Sequence, residues 1–134
     1  MEKDGEVFAP LSRVYGLPRG TEEEKKIREE EMEAALENAC SVPMEIMEKC
    51  LGCIDLHEKL SEKGTGIAIS DIGVGVLLCK SALMGAQLNV QINTSSMRNR
   101  TCAEELNARA ARMMESGVRK ADLVYQGVEK RIAG

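Results

Sequence analysis

Ser70 to Asn93 reads Ser-Asp-Ile-Gly-Val-Gly-Val-Leu-Leu-Cys-Lys-Ser-Ala-Leu-Met-Gly-Ala-Gln-Leu-Asn-Val-Gln-Ile-Asn. Wound at about 100° per residue, this stretch is apolar on nearly every side. Small residues (Gly73, Gly75, Ala82, Gly85, Ala86) are scattered through it. A helix that is apolar all round is predicted to sit in the middle of a bundle. Its small residues let neighbouring backbones approach closely, although each Gly costs roughly 1 kcal/mol against Ala in a helix interior. Ser70 is placed to cap this helix, and Asp71 in its first turn complements the helix dipole. Asn89 and Asn93 lie four apart on one face of a segment expected to be buried. Buried amides need partners. The pattern leaves open whether they bond each other and the next turn, or a polar heterocycle.

The flanking sequence extends the helical reading. Val7, Leu11, Val14 and Tyr15 stand at helical spacing within residues 3 to 16, and Gly16-Leu17-Pro18-Arg19-Gly20 stops that helix. Thr21 followed by Glu24 has the capping-box form and predicts a long helix running toward Cys40. Pro43 predicts a kink or a short break. Beyond it, Ile46, Met47, Cys50, Cys53, Ile54 and Leu60 continue a helical stripe as far as Gly64-Thr65-Gly66. Asn93-Thr94-Ser95-Ser96 reads as a turn. Thr101 and Glu104 repeat the capping-box spacing before a last helix, with Leu106, Ala110, Met113, Gly117, Ala121, Val124 and Val128 along one seam. The fold class that follows is all-α: one antiparallel helical bundle around a central, nearly all-apolar helix, occupying residues 1–134.

Composition agrees. With one Phe, two Tyr and no Trp, the chain lacks the aromatics that sheet faces draw on. Its acidic and basic side chains number 22 and 18, and the basic ones are not massed on one face, so no nucleic-acid partner is expected. No unbroken apolar run approaches the roughly 18 residues of a membrane span, so no membrane is expected either. The five cysteines (Cys40, Cys50, Cys53, Cys79, Cys102) are an odd count behind a polar start, Met1-Glu-Lys-Asp-Gly. A cytoplasmic protein with reduced thiols is the expectation.

Two local clusters invite chemistry. Cys50-Leu-Gly-Cys53 with His57 places two thiols and an imidazole on one helical face, a donor set that suits zinc. No second CxxC or CxxH pair accompanies it, and half-buried cysteines on a core-facing stripe are the better account of it. His57 is the chain's one histidine, so a Ser-His-Asp triad would have to be built around it. Gly73-Val-Gly75 is not a dinucleotide fingerprint, because no strand precedes it and the third glycine is absent.

Taken in order, Asp4-Gly-Glu-Val-Phe8, Leu17-Pro18-Arg19-Gly20-Thr21, Val42-Pro43, Ser70-Asp71 and Leu88-Asn89-Val90-Gln91-Ile92-Asn93 resemble the cyclodeaminase domain of formiminotransferase-cyclodeaminases and the related methenyltetrahydrofolate cyclohydrolases. The resemblance covers essentially the whole chain, with Arg19 where Lys is usual. It implies an all-α fold that forms a homodimer or higher homo-oligomer and acts on a one-carbon tetrahydrofolate substrate, with no metal and no redox cofactor. One reaction closes 5-formiminotetrahydrofolate to 5,10-methenyltetrahydrofolate with loss of ammonia; the other hydrolyses the methenyl compound to 10-formyltetrahydrofolate. The same resemblance gives Asp4 the catalytic acid/base position, the folate contacts to Ser70, Asp71, Asn89 and Asn93, and the anionic glutamate tail to Arg19. The family's glycine-rich Pro-Gly-Gly-Gly-Ser type loop has no counterpart here, so the expectation is a domain lacking its N-terminal part. The helix Ser70 to Ile92 would then carry an uncovered apolar face that drives self-association. Two rivals stand beside the folate reading: a helical scaffold that kept the fold without the chemistry, and a thiol module built on Cys50, Cys53 and His57.

Overall fold

The computed structural model describes residues 2–63 and 68–134, with side chains placed from residue 9 onward in those ranges. Five helices follow one another: α1 (Glu2–Tyr15), α2 (Glu22–Ala39), α3 (Ser41–Lys63), α4 (Ile69–Ser95) and α5 (Arg100–Ala133). No strand occurs among the described residues, and the all-α expectation holds. The break expected at Gly64-Thr65-Gly66 lies outside the described residues.

Local chemistry sets most of the boundaries. The Glu24 amide donates to Thr21 Oγ1 at 3.1 Å, while Glu24 Oε2 accepts from the Gly20 amide, also at 3.1 Å. The capping box is therefore formed, its return bond one residue upstream of the cap. Glu22, Glu23 and Glu24 fill the first turn of α2, where the helix dipole favours negative charge. Pro43 falls in the first turn of α3, where a missing N–H costs little. The same missing donor leaves the Ala39 carbonyl, four residues back, without a helical partner. Asn93 Nδ2 reaches across from α4 and donates to it at 3.4 Å.

Three boundaries differ from the sequence reading. α4 starts at Ile69, the N-cap position is Ala68, and no side chain caps it. The Ile72 amide already bonds the Ala68 carbonyl at 3.1 Å, so Ser70 is inside the helix rather than at its cap. Residues 93 to 95 are the last turn of α4, not a turn between helices. The cap of α5 is Asn99, whose Oδ1 accepts from the Cys102 amide at 3.1 Å, not Thr101. What fixes that earlier start is tertiary: Glu33 on α2 accepts the amides of Arg98 and Asn99 at 2.7 and 2.9 Å. A carboxylate at a helix N-terminus satisfies orphan donors and meets the positive end of the dipole.

α3, α4 and α5 pack against one another around Met47, Ile54, Val76, Leu83, Val90, Ala110, Ala121 and Val124. A second cluster, Leu11, Val14, Leu36, Ala39, Met97 and Ala103, joins α1 and α2 to the end of the bundle where α4 passes into α5. Ion pairs staple the long helices at the surface: Lys80 to Asp122 at 2.7 Å, Lys120 to Asp55 at 2.6 Å, and Arg109 to Glu48. The Asp55 hydrogen bond is the first cause that raises the Lys120 pKa; burial opposes it, and the charges of Asp55 and Glu58 add to the rise.

The structure corrects the picture of α4 as a helix buried on every side. Ile69, Ile72, Gly73, Val76, Leu83, Ala86, Val90 and Thr94 are buried. On the opposite side Val74, Leu77, Leu78, Met84, Leu88 and Ile92 are exposed. The helix is apolar twice over, and only one face is covered. By length and composition it also reaches what a membrane span requires, with a mean hydropathy of 1.5 over its most apolar window. No unbroken apolar run announces this, because Asp71 and Lys80 interrupt the stretch without making the helix polar.

Two glycines test the packing in opposite directions. A Cβ on Gly117 of α5 would press on the ends of Leu83 and Leu51, whereas one on Gly52 of α3 meets nothing within 4 Å. Gly117→Val is expected to lower stability by about 1–3 kcal/mol through overpacking, and Gly52→Ala to raise it by about 0.5–1 kcal/mol through helix propensity. Urea unfolding followed by circular dichroism gives both values. A Gly117→Val protein as stable as the parent would contradict the close approach of α4 and α5.

Candidate functional site

The residues singled out in the sequence occupy two ends of the bundle. Ser70 and Asp71 are exposed in the first turn of α4. Asn89 and Asn93 lie 18 and 22 residues beyond Asp71 on the same helix, which at 1.5 Å per residue is about 27 and 33 Å along its axis. Arg19 is exposed in the connection between α1 and α2. Asp4 belongs to α1, and its side chain lies outside the described residues. Within one protomer the structure brings α1, Arg19 and Asn93 toward one end and leaves Asp71 at the other.

The two amides do not behave as a buried pair. Asn89 is exposed, against expectation, and Asn93 is only half-buried. They sit along the edge of the uncovered apolar face rather than in the core, because the buried side of α4 is the opposite one. Asn93 has a structural task in its bond to the Ala39 carbonyl. The polar side chain that is buried is Thr94, at 1 % exposure. Its hydroxyl donates to Asn107 Oδ1 at 2.7 Å, tying α4 to α5. Sequence reasoning missed Thr94 by placing it in a turn. Arg100, also missed, donates through Nη1 to the carbonyls of Thr94 and Met97 at 2.8 and 3.0 Å, closing the C-terminal end of α4.

The thiol cluster separates on inspection. Cys50 is buried in the core, Cys53 is exposed, and the His57 Nδ1–H donates to the Cys53 carbonyl at 2.6 Å. Its other ring nitrogen lies against Gly75 of α4, where a Cβ would collide with it. His57 therefore reads as a packed, hydrogen-bonded histidine at the α3–α4 contact. Burial, then the neighbouring Cys53, raises the Cys50 thiol pKa; burial is also the first cause at Cys79. Among the described residues no three His, Cys, Asp or Glu side chains converge as metal ligands.

A shallow cleft of about 320 Å³ opens where the α2–α3 junction meets α5. Glu37, Cys40, Ser41, Glu48 and Arg109 are among its lining. Arg109 is held by Glu48 across the cleft mouth. Burial, with smaller contributions from Cys102 and Glu37, pushes the Cys40 thiol up to about 11, so it stays protonated at neutral pH and is a poor nucleophile. Arg19, Ser70, Asp71, Asn89 and Asn93 do not line this cleft.

Comparison with known proteins completes the description. A methenyltetrahydrofolate cyclohydrolase of Methylorubrum extorquens is 36% identical over 130 residues, which are 96% of this chain and 62% of that protein. A formimidoyltransferase-cyclodeaminase of Gallus gallus is 27% identical over 133 residues, 99% of this chain and 25% of that protein. The crystal structure of a formiminotetrahydrofolate cyclodeaminase from Thermotoga maritima superposes with a TM-score of 0.73 at 26% identity, covering 98% of this chain and 60% of that one. The chain thus spans less than two thirds of the length of these relatives. The profile of the formiminotransferase-cyclodeaminase family matches residues 1–112, and the chain belongs to that family.

Proposed function

We propose that this chain serves a one-carbon tetrahydrofolate reaction, hydrolysis of the 5,10-methenyl compound first and cyclisation of the 5-formimino compound second. The match to the family profile over residues 1–112 carries this reading. The order follows identity: 36% to a relative named as the cyclohydrolase against 27% to one named as the cyclodeaminase.

The chemistry asks little of a protein except placement and a proton. In the hydrolysis, water adds to the cationic carbon between N5 and N10 and loses a proton. The carbon–N5 bond of the tetrahedral adduct then breaks as the hydroxyl gives up its proton and N5 takes one up, which leaves the carbonyl on N10. In the cyclisation, N10 attacks the formimino carbon and loses its proton, the imino nitrogen takes up one proton to become an amino group, and that group leaves as ammonia after gaining a second. Each route needs a group that moves a proton at nitrogen or water, and a carboxylate out of bulk water can supply it. Asp4 has that role in the proposal. Asp71, Asn89 and Asn93 offer acceptors and donors for the pterin amides, Ser70 a hydroxyl beside Asp71, and Arg19 a guanidinium for the glutamate carboxylates. No metal or redox cofactor enters either step. Five unpaired thiols suit a reducing compartment such as the cytoplasm, and a homo-oligomer is part of the same reading.

One observation favours a second reading, a folded scaffold without turnover: Asp71 and the two asparagines stand at opposite ends of α4 in a single protomer. An absorbance trace separates the two. Methenyltetrahydrofolate absorbs in the near ultraviolet and its hydrolysis product does not, so the purified chain is expected to bleach it faster than buffer. Asp4→Asn is expected to slow that reaction by about 10²–10⁴-fold, the range for a lost general acid/base. The formimino substrate in a parallel cuvette gains absorbance if cyclisation occurs. Traces at the buffer rate with both substrates, and no heat of folate binding, would favour the scaffold.

A further inference from the structure

Two contacts fix the register in which α3 and α4 run against each other. At one end Asn93 Nδ2 donates to the Ala39 carbonyl, one turn ahead of Pro43. The helical path continues from there into α3, since Cys40 is itself helical and its carbonyl accepts the Met44 amide. Further along, the His57 ring lies against Gly75. His57 is eighteen residues after Ala39, and Gly75 is eighteen before Asn93. Eighteen residues make about five helical turns, so each helix meets the other along one line, and the two antiparallel paths stay level between the contacts.

Cys53 and Cys79 stand on that line. Each is four residues, about one turn, from the His57–Gly75 contact and on the side toward Asn93. Register alone therefore sets the two sulfurs at the same height across the α3–α4 contact. Cys53 is exposed, whereas Cys79 is half-buried and packs on the core. A Cβ on neighbouring Gly52 would meet nothing within 4 Å, so Cys53 can be approached from solvent. Burial first, then the charges of Cys53 and Cys50 and a hydrogen bond to Cys53, hold the Cys79 thiol above its ordinary value. Cys79 is the donor in that bond, and its S–H is aimed at the Cys53 sulfur. Cys50, the nearer cysteine in sequence, is buried in the core. The CxxC spacing thus contributes one sulfur to this pair, and α4 contributes the other.

We infer that Cys53 and Cys79 form a thiol–disulfide exchange site, which reduces a low-molecular-weight disulfide of the glutathione class and closes an α3–α4 disulfide in return. The exposed sulfur attacks and the sheltered one resolves, the division that access and thiolate character impose. Cys53 loses its proton and attacks one sulfur of the small disulfide. The first small thiolate leaves and takes up a proton, and a mixed disulfide stays on Cys53. Cys79 then loses its proton and attacks the Cys53 sulfur, and the second small thiolate leaves and is protonated. Two protein thiols have been oxidised to one disulfide, one small disulfide has been reduced to two thiols, and no other oxidant is needed. The second step is intramolecular and so runs at a high effective concentration of thiol. An excess of small thiol drives the same exchange backward. The product ties the middle of α4 to α3. The site does not depend on the folate reading, because its reactant and its readout involve sulfur alone.

Incubation of the full chain with glutathione disulfide, followed by peptide mapping without reduction, tests this. The parent is expected to yield one linked peptide pair, Cys53 to Cys79, with no glutathione left on Cys53, and dithiothreitol is expected to reopen it. Cys79→Ser is expected to stop at the mixed disulfide and carry glutathione on Cys53. Cys53→Ser is expected to react at position 79 at least about tenfold more slowly than the parent, since the remaining thiol is sheltered and holds its proton. Circular dichroism checks that each variant is folded, and Cys79→Ala stands in for the serine if a hydroxyl disturbs the core. A parent that keeps glutathione on Cys53 without closing would overturn the pairing, as would a bond from Cys53 to Cys50 or to Cys53 of another copy. A Cys53 that stays unmodified while the unfolded chain reacts would overturn it too.

Discussion

Everything in this fold hangs on one helix that has more apolar surface than its own bundle can use. The inner face of α4, from Ile69 through Val76, Leu83 and Val90 to Thr94, is the surface against which α3 and α5 pack. Val76, Leu83 and Val90 have no exposure at all, and truncating such a leucine to alanine typically costs about 2–5 kcal/mol. The close approach is paid for in small residues: Gly117 leaves room for Leu83, and Gly75 leaves room for the His57 ring. The polar ties, Thr94 to Asn107, Lys80 to Asp122 and Asn93 to the Ala39 carbonyl, all begin on α4. They fix its register against its neighbours without supplying the main driving force.

The sequence made the helices legible because their apolar periods are long and their stop signals strong. α2 is the clearest case, where Thr21 and Glu24 satisfy exposed backbone amides locally and no tertiary partner is needed. The starts of α4 and α5 were not legible. In α5 the deciding acceptor, Glu33, is 65 and 66 residues from the amides it binds, and no local pattern records such a contact. In α4 an apolar alanine occupies the cap, so the nearest good capping residue, Ser70, drew the boundary two positions late.

Burial of α4 was misread for a different reason. Apolar residues on every side of a helix show that two faces avoid water, but not that one chain covers both. The same assumption places Asn89 in the core, whereas it is exposed. The residues of the candidate site were recognisable by their order along the chain, and their mutual distance was also available, since a helix rises by about 1.5 Å per residue. Eighteen residues of one helix separate Asp71 from Asn89, so no folding of this helix within the protomer brings them together. Asp4 stays a matter of resemblance, because its side chain is outside the described residues.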